Sequence, residues 1–200
     1  MLRVLDLQEA LIELAQGRVI AVPTDTVYGV AARVDAREGI EGLFVLKGRP
    51  KSLALPVLVD SIEQIVALGV DWPARAQRLA SRFWPGALTI VVPTPDQLAR
   101  SIASDSSSVG FRIPDLAMLR ELLVRGGPLA VTSANRHGEP PCQRAQQVLE
   151  IFADSPLLGG VLDAGERDAR VSTVVDVTSE SWRILRIGAI DGESIRDALA

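Results

Sequence analysis

Two hundred residues with 48% hydrophobic content and a formal net charge of −4 suffice for one domain with a sizeable core, residues 1–200. A single cysteine, Cys142, excludes a disulfide framework and a cysteine-rich zinc site, and no apolar run approaches the roughly 20 residues of a membrane span. The acidic balance excludes a protein-wide basic field for nucleic acid, so any polyanion must meet a local patch. The N-terminus meets Asp6 almost at once and lacks a signal-peptide profile, so the chain reads as a cytoplasmic globular protein without membrane contact.

Asp6, with Glu9 three residues on, reads as the capping box of a first helix whose apolar stripe is Leu7, Leu11 and Leu14 and whose stop is Gly17. Val19–Val22 is a short buried strand ending at Pro23. A helix over Glu38–Leu46 precedes a loop Lys47-Gly48-Arg49-Pro50-Lys51, and a strand over Leu55–Val59 follows it. Ser61 with Gln64 is a second capping box, opening Ile62–Leu68. Pro73–Phe83 reads as helix, Trp84-Pro85-Gly86 as a turn and Ala87–Val92 as a strand. The Ser-rich stretch Ser101–Ser108 reads as a loop, Val109–Ile113 and Leu129–Thr132 as strands, and Leu116–Val124 and Gln143–Phe152 as helices. Strands near Gly160–Leu162, Thr173–Val177 and Trp182–Ile187 and a helix from Ser194 complete the chain. Alternating strands and helices with a strand-rich tail predict an α/β (α+β) fold, a twisted mixed open sheet flanked by helices.

Much common chemistry is missing. The chain has no phosphate loop of the Walker type, no Gly-x-Gly-x-x-Gly turn and no serine-nucleophile elbow. With one histidine, His137, a two-histidine metal site is impossible. Chemistry must therefore run on cations, hydroxyls, amides and backbone, with no metal held by protein side chains.

Five segments place such groups near strand ends, where open α/β sheets bind ligands. Pro23–Gly29 (PTDTVYG) offers Thr24, Asp25, Thr26 and Tyr28, either to a small polar ligand or to its own turn. The run at Lys47 holds the chain's only two lysines, with Lys47 a point charge and Arg49 a planar fork, against the alternative of a solvated turn. Ser108–Pro114 (SVGFRIP) puts Arg112 opposite Phe111 and Ile113, the usual place of a solvated strand arginine. Thr132–Asn135 (TSAN) is a strand leaving through small polar residues, and Ser172 stands fourteen residues before Arg186.

In order, PTDTVYG (23–29), KGRP (47–50), WPGALT (84–89), VGFRIPD (109–115), TSAN…GEPP (132–141), STVVD (172–176) and LRIGAI (185–190) resemble the YrdC/TsaC family of threonylcarbamoyl-AMP synthases. The length resembles its short, single-domain form. The resemblance implies a positively charged groove in which L-threonine, bicarbonate and ATP condense to threonylcarbamoyl-AMP and pyrophosphate. The resemblance also implies Mg2+ with the nucleotide. The product feeds the N6-threonylcarbamoyl modification of adenosine 37 (t6A) in tRNA, through downstream threonylcarbamoyl-transferase proteins. Carried over by motif, Thr26, Arg112, Ser133 and Ser172 fall at the threonine site. Lys47, Arg49, Ser108, Asn135 and Arg186 fall around ATP, with Lys47 and Arg49 the catalytic cations. The chain departs from the family's long form at Leu53, Leu58 and Leu116, where other members carry polar residues. An alternative reading within the same fold is a non-catalytic RNA- or tRNA-binding protein, against which stand the acidic balance and the shortage of aromatics for base stacking.

Overall fold

The structure is a computed structural model that describes residues 2–48, 54–102, 107–167 and 170–200. Its elements begin with β1 (Val4–Leu5), α1 (Leu7–Ala15) and β2 (Val19–Val22). The capping box closes as the sequence predicts: Glu9 N donates to Asp6 Oδ1 at 2.8 Å and Asp6 N donates to Glu9 Oε2 at 2.9 Å. A strand the sequence analysis does not anticipate, β3 (Gly29–Arg33), returns antiparallel beside β2, so PTDTVYG is the turn of a hairpin. Then follows α2 (Arg37–Lys47), longer than expected by one residue at each end, with Gly48 at φ 63° in the left-handed region that closes helices. Lys47 is thus the last helical residue and not part of a loop.

The chain continues through β4 (Val57–Leu58), α3 (Ile62–Ala67), α4 (Ala74–Phe83), β5 (Leu88–Pro93) and α5 (Asp96–Ser101), which like β1 and β3 is unanticipated. The second predicted capping box forms by half. Ser61 Oγ accepts from Gln64 N at 3.4 Å, while the Gln64 side chain accepts from Asp60 N and donates to Leu123 O. Next come β6 (Ser108–Arg112), α6 (Ala117–Gly126), β7 (Leu129–Ser133), α7 (Ala145–Ile151), β8 (Leu158–Leu162), β9 (Thr173–Asp176), β10 (Arg183–Arg186) and α8 (Gly192–Leu199).

Among the described residues the ten strands form one mixed sheet in the order β1-β8-β2-β3-β7-β4-β6-β5-β9-β10. The pairs β1/β8, β2/β8, β4/β6 and β5/β9 are parallel and the others antiparallel. Side chains alternate between the two faces of a strand, so strands such as β2, β3, β4 and β7 feed two cores. Val19, Ala21, Val57, Ile90 and Phe111 join the larger cluster, with Ile40, Leu43 and Phe44 of α2 and Leu79 of α4. Ile20, Val22, Ala31, Leu58, Leu129 and Val131 stand on the opposite face, with Leu14 of α1 and Leu119, Leu122 and Leu123 of α6.

The second face is the one that makes a site. There α1 and α6 pack on each other, and α1 rests on β1, β2, β3 and β8. Across β4, β6 and β5 that face carries instead Leu58, Arg112, Gly110 and Thr89. Gly110 keeps the floor low: a Cβ there would lie 2.8 Å from the Thr89 methyl.

The sequence-legible cap supplies a control on stability. Asp6→Ala removes the Glu9 N acceptor and is expected to cost about 1 kcal/mol. Because α1 stands apart from the cavity, a urea titration should record that loss while ligand dissociation constants stay unchanged.

Candidate active site

A cavity of about 180 Å3 opens on this face, lined among others by Thr24, Thr26, Tyr28, Leu58, Thr89, Arg112, Ser133, Ser172 and Arg186. Its rim is the β2–β3 hairpin turn. Thr24 holds that turn: its Oγ1 accepts from Thr26 N and Val27 N and donates to Val27 O at 2.7 Å. Asp25, which the sequence offers as a local cap, is therefore released for a long-range role.

That role is Arg112. Alternation places it opposite Phe111, as expected, yet it is only 5% exposed and not a solvated strand arginine. Its Nε donates to Gly86 O at 2.9 Å, Nη1 to Thr26 Oγ1 at 3.2 Å and Nη2 to Asp25 Oδ1 at 2.6 Å. A guanidinium has five N–H donors. These three bonds leave one proton on each Nη, the pair that grips a carboxylate bidentately.

The second cation is Arg186, whose Nε donates to Ser172 O and Nη2 to Ser172 Oγ, both at 3.0 Å. Burial and then the positive charge of Arg112 lower its pKa, as expected where two cations share a space. Thr89 Oγ1 lies 3.0 Å from Ser172 Oγ and completes this wall. Thr89 was missed as a site residue; its signal was a hydroxyl breaking the apolar run of β5 on the face of Arg112.

Tyr28 is fully buried and forms the back of the cavity. Its hydroxyl lies 2.9 Å from Asp163 Oδ1 and 2.8 Å from Gly165 O, and accepts from Ala164 N. It thereby ties the hairpin turn to the segment after β8. Burial pushes the phenol from its ordinary value near 10 up to about 12.

Of the predicted threonine-site residues, the structure brings Thr26, Arg112, Ser133 and Ser172 around this one cavity. Arg186, predicted for ATP, stands there too. Lys47 and Asn135 lie behind Ser133, where Lys47 Nζ donates to Ser133 O, Ser133 Oγ and Asn135 Oδ1 at 2.7, 2.9 and 2.6 Å. Ser108 opens β6 and stands four residues from Arg112, roughly 13 Å along the strand. Arg49 and Leu53 lie outside the described residues. Leu58 lines the cavity, so an apolar side chain faces the site, whereas Leu116 packs against the core under α1 and α6. Cys142 is buried and its thiol is pushed by burial to about 11, which fits packing and not nucleophilic attack. His137 is exposed, with its backbone N–H on Lys47 O. Among the described residues no group of three or more His, Cys, Asp or Glu could hold a metal, and no helix is long and apolar enough to cross a membrane.

Two predictions test this geometry. Tyr28→Phe should remove a pH dependence: the unfolded phenol ionises from about pH 10 while the folded one keeps its proton to about 12. The stability this group contributes is present below pH 10 and is lost as pH rises toward 12. Wild-type unfolding midpoints should therefore fall more steeply over that window than those of the variant. Arg112→Met strands Asp25 in a site where its side chain is 13% exposed. A loss on the order of 3 kcal/mol in denaturant unfolding is expected, and Asp25→Asn on the same background should restore part of it.

The comparisons with known proteins agree with one another. The Sua5/YciO/YrdC family model, described as "Telomere recombination", matches residues 13–188. A threonylcarbamoyl-AMP synthase of Pyrococcus abyssi is 36% identical over 188 residues, 92% of this chain and 54% of its own length. The chain thus spans about half of that relative. A threonylcarbamoyl-AMP synthase of Photorhabdus laumondii is 30% identical over 180 residues, 88% of this chain and 94% of its own. The crystal structure of P. abyssi Sua5 complexed with L-threonine superposes with a TM-score of 0.90 at 31% identity, covering 99% of this chain and 60% of that one. This chain belongs to the Sua5/YciO/YrdC family.

Proposed function

We propose that the protein is an L-threonylcarbamoyladenylate synthase, a nucleotidyltransferase that condenses L-threonine, bicarbonate and ATP to threonylcarbamoyl-AMP and pyrophosphate. The observation that carries this reading is the cavity on the open sheet face. Buried Arg112, the more exposed Arg186 and the hydroxyls of Thr26, Thr89, Ser133 and Ser172 converge there in a chain of this family. Its volume falls below the roughly 300–1,000 Å3 typical of drug-sized ligands. It suits one amino acid, with the nucleotide extending outward past Ser133.

In this reading the two remaining Nη protons of Arg112 clamp the threonine carboxylate, and Thr26, Ser133 and Ser172 fix its polar groups. Bicarbonate gives up hydroxide to become carbon dioxide, the threonine amine attacks that carbon and loses a proton to give a carbamate, and the hydroxide and proton leave as water. A carbamate oxygen then attacks the α-phosphorus of ATP as the bond to the β-phosphate oxygen breaks and pyrophosphate leaves. Negative charge gathers on carboxylate, carbamate and phosphates together, so fixed cations stabilise the transition state electrostatically. Arg186, with Arg49, Ser108 and Asn135, belongs to the nucleotide side, and Lys47 supplies buried positive charge between the two sides. Holding three reactants in register removes an entropic part of the barrier on the order of 7–11 kcal/mol. The cavity is lined by cations and hydroxyls, so Mg2+ belongs with the phosphates and not with protein ligands.

The reading takes residues 1–200 as one YrdC-like domain working in the cytoplasm. Its product passes to threonylcarbamoyl-transferase proteins that modify adenosine 37 of tRNA, with a direct tRNA contact at the mouth of the groove.

Incubation with threonine, bicarbonate and MgATP should yield pyrophosphate and threonylcarbamoyl-AMP. Arg112→Met should raise the KM for threonine at least tenfold, in line with a lost charged hydrogen-bond pair. Product no greater than from an Arg112→Met/Arg186→Met control would overturn the proposal. Steeply salt-dependent tRNA binding in that case would point to the RNA-binding alternative.

A further inference from the structure

Lys47 is 4% exposed and is not among the residues that line the cavity. An ammonium has three protons, and among the acceptors around this one are Ser133 O, Ser133 Oγ and Asn135 Oδ1. Each contact has a consequence on its far side. Ser133 Oγ accepts from Lys47, which leaves the serine's own proton to be donated into the cavity it lines. Asn135 Oδ1 also accepts from Lys47, and this fixes which way the amide lies. Its Nδ2 then donates to Arg136 O at 2.9 Å and to Glu139 O at 2.5 Å, closing the turn over residues 135–139. His137 N donates to Lys47 O at 3.0 Å and fastens that turn back onto the end of α2.

We infer that Lys47 is a positioning residue that does not touch the phosphates. It couples the two halves of the site, holding Ser133 on the threonine side and the 135–139 turn on the nucleotide side. This rests on the proposed assignment of Ser133 to threonine and Asn135 to ATP. A lysine acting as a point charge on phosphate affects nucleotide binding alone. A lysine shared between Ser133 and Asn135 makes each half sensitive to damage in the other. Binding energies of residues in one hydrogen-bonded network are not additive for this reason.

Isothermal titration of the full chain gives separate dissociation constants for L-threonine and for a non-hydrolysable ATP analogue with Mg2+. Lys47→Met should weaken both on the order of tenfold, the usual scale for a lost hydrogen bond to a charged group. Asn135→Ala should weaken threonine about threefold or more although its side chain does not line the cavity, and Ser133→Ala should weaken the nucleotide likewise. Lys47→Met combined with Ser133→Ala should bind threonine no more weakly than either single variant. A merely structural lysine would lower the thermal midpoint and the binding stoichiometry without moving either constant, and that result overturns the inference. So does weakening of the nucleotide alone in Lys47→Met. If Lys47→Met gives no cooperative melt, the single variants decide: crosswise losses support the bridge, and losses confined to each residue's own ligand overturn it. Wild-type threonine affinity in Ser133→Ala together with wild-type nucleotide affinity in Asn135→Ala would remove the assignment of the two ends, and the bridge with it. The synthase activity would remain separately measurable.

Discussion

Arg112 is the residue on which the arrangement of the site depends. Its guanidinium joins three segments far apart in sequence: the hairpin turn through Asp25 and Thr26, the turn before β5 through Gly86, and the end of β6 on which it stands. A charge this deeply buried persists only when paired and hydrogen-bonded, so those segments must converge for the chain to fold at all. Once they have converged, the protons left over point to a cavity suited to an anion. The interactions that satisfy the arginine therefore also build the site.

The sheet explains why a cavity exists there. Strands with apolar residues on both faces normally demand cover on both faces. Here the larger cluster, under α2 and α4, is continuous from β2 to β9, whereas the second is closed by α1 and α6 and reaches the middle of the sheet at Leu58. Beyond it the face carries Gly110, Thr89 and Arg112, one residue without a side chain and two with polar ones. Polar groups on that sheet face can meet a ligand, and residues of the hairpin turn line the space beside them. Lys47, Ser133 and Asn135 extend the same polar seam behind the cavity wall.

Elements governed by local rules were legible in the sequence. The Asp6–Glu9 box, the apolar run of β2 and the helix before Lys47 all follow from residue type and spacing, and the structure bears out the mixed sheet that the alternation of strands and helices predicts. Three elements escaped: β1, β3 and α5, of which β1 is two residues long and too short to display any period. β3, Gly-Val-Ala-Ala-Arg, is short and buried on both faces, so it lacks the alternation that marks a strand, and its hairpin turn is six residues rather than two. The α5 segment is a single short helix beside a Ser-rich stretch, with too few residues to display a helical period.

By itself the sequence determined the inventory: which residues can carry charge and hydroxyls, that the chemistry lacks histidine and cysteine, and which face of β6 Arg112 occupies. Only tertiary structure decided what those residues do. Whether Arg112 met solvent or a carboxylate depended on Asp25, 87 positions away. Whether Lys47 faced outward or inward depended on Ser133 and Asn135, 86 and 88 positions away. Backbone propensity acts over a few residues, but the environment of a charge is set by whatever the fold brings within a hydrogen bond of it.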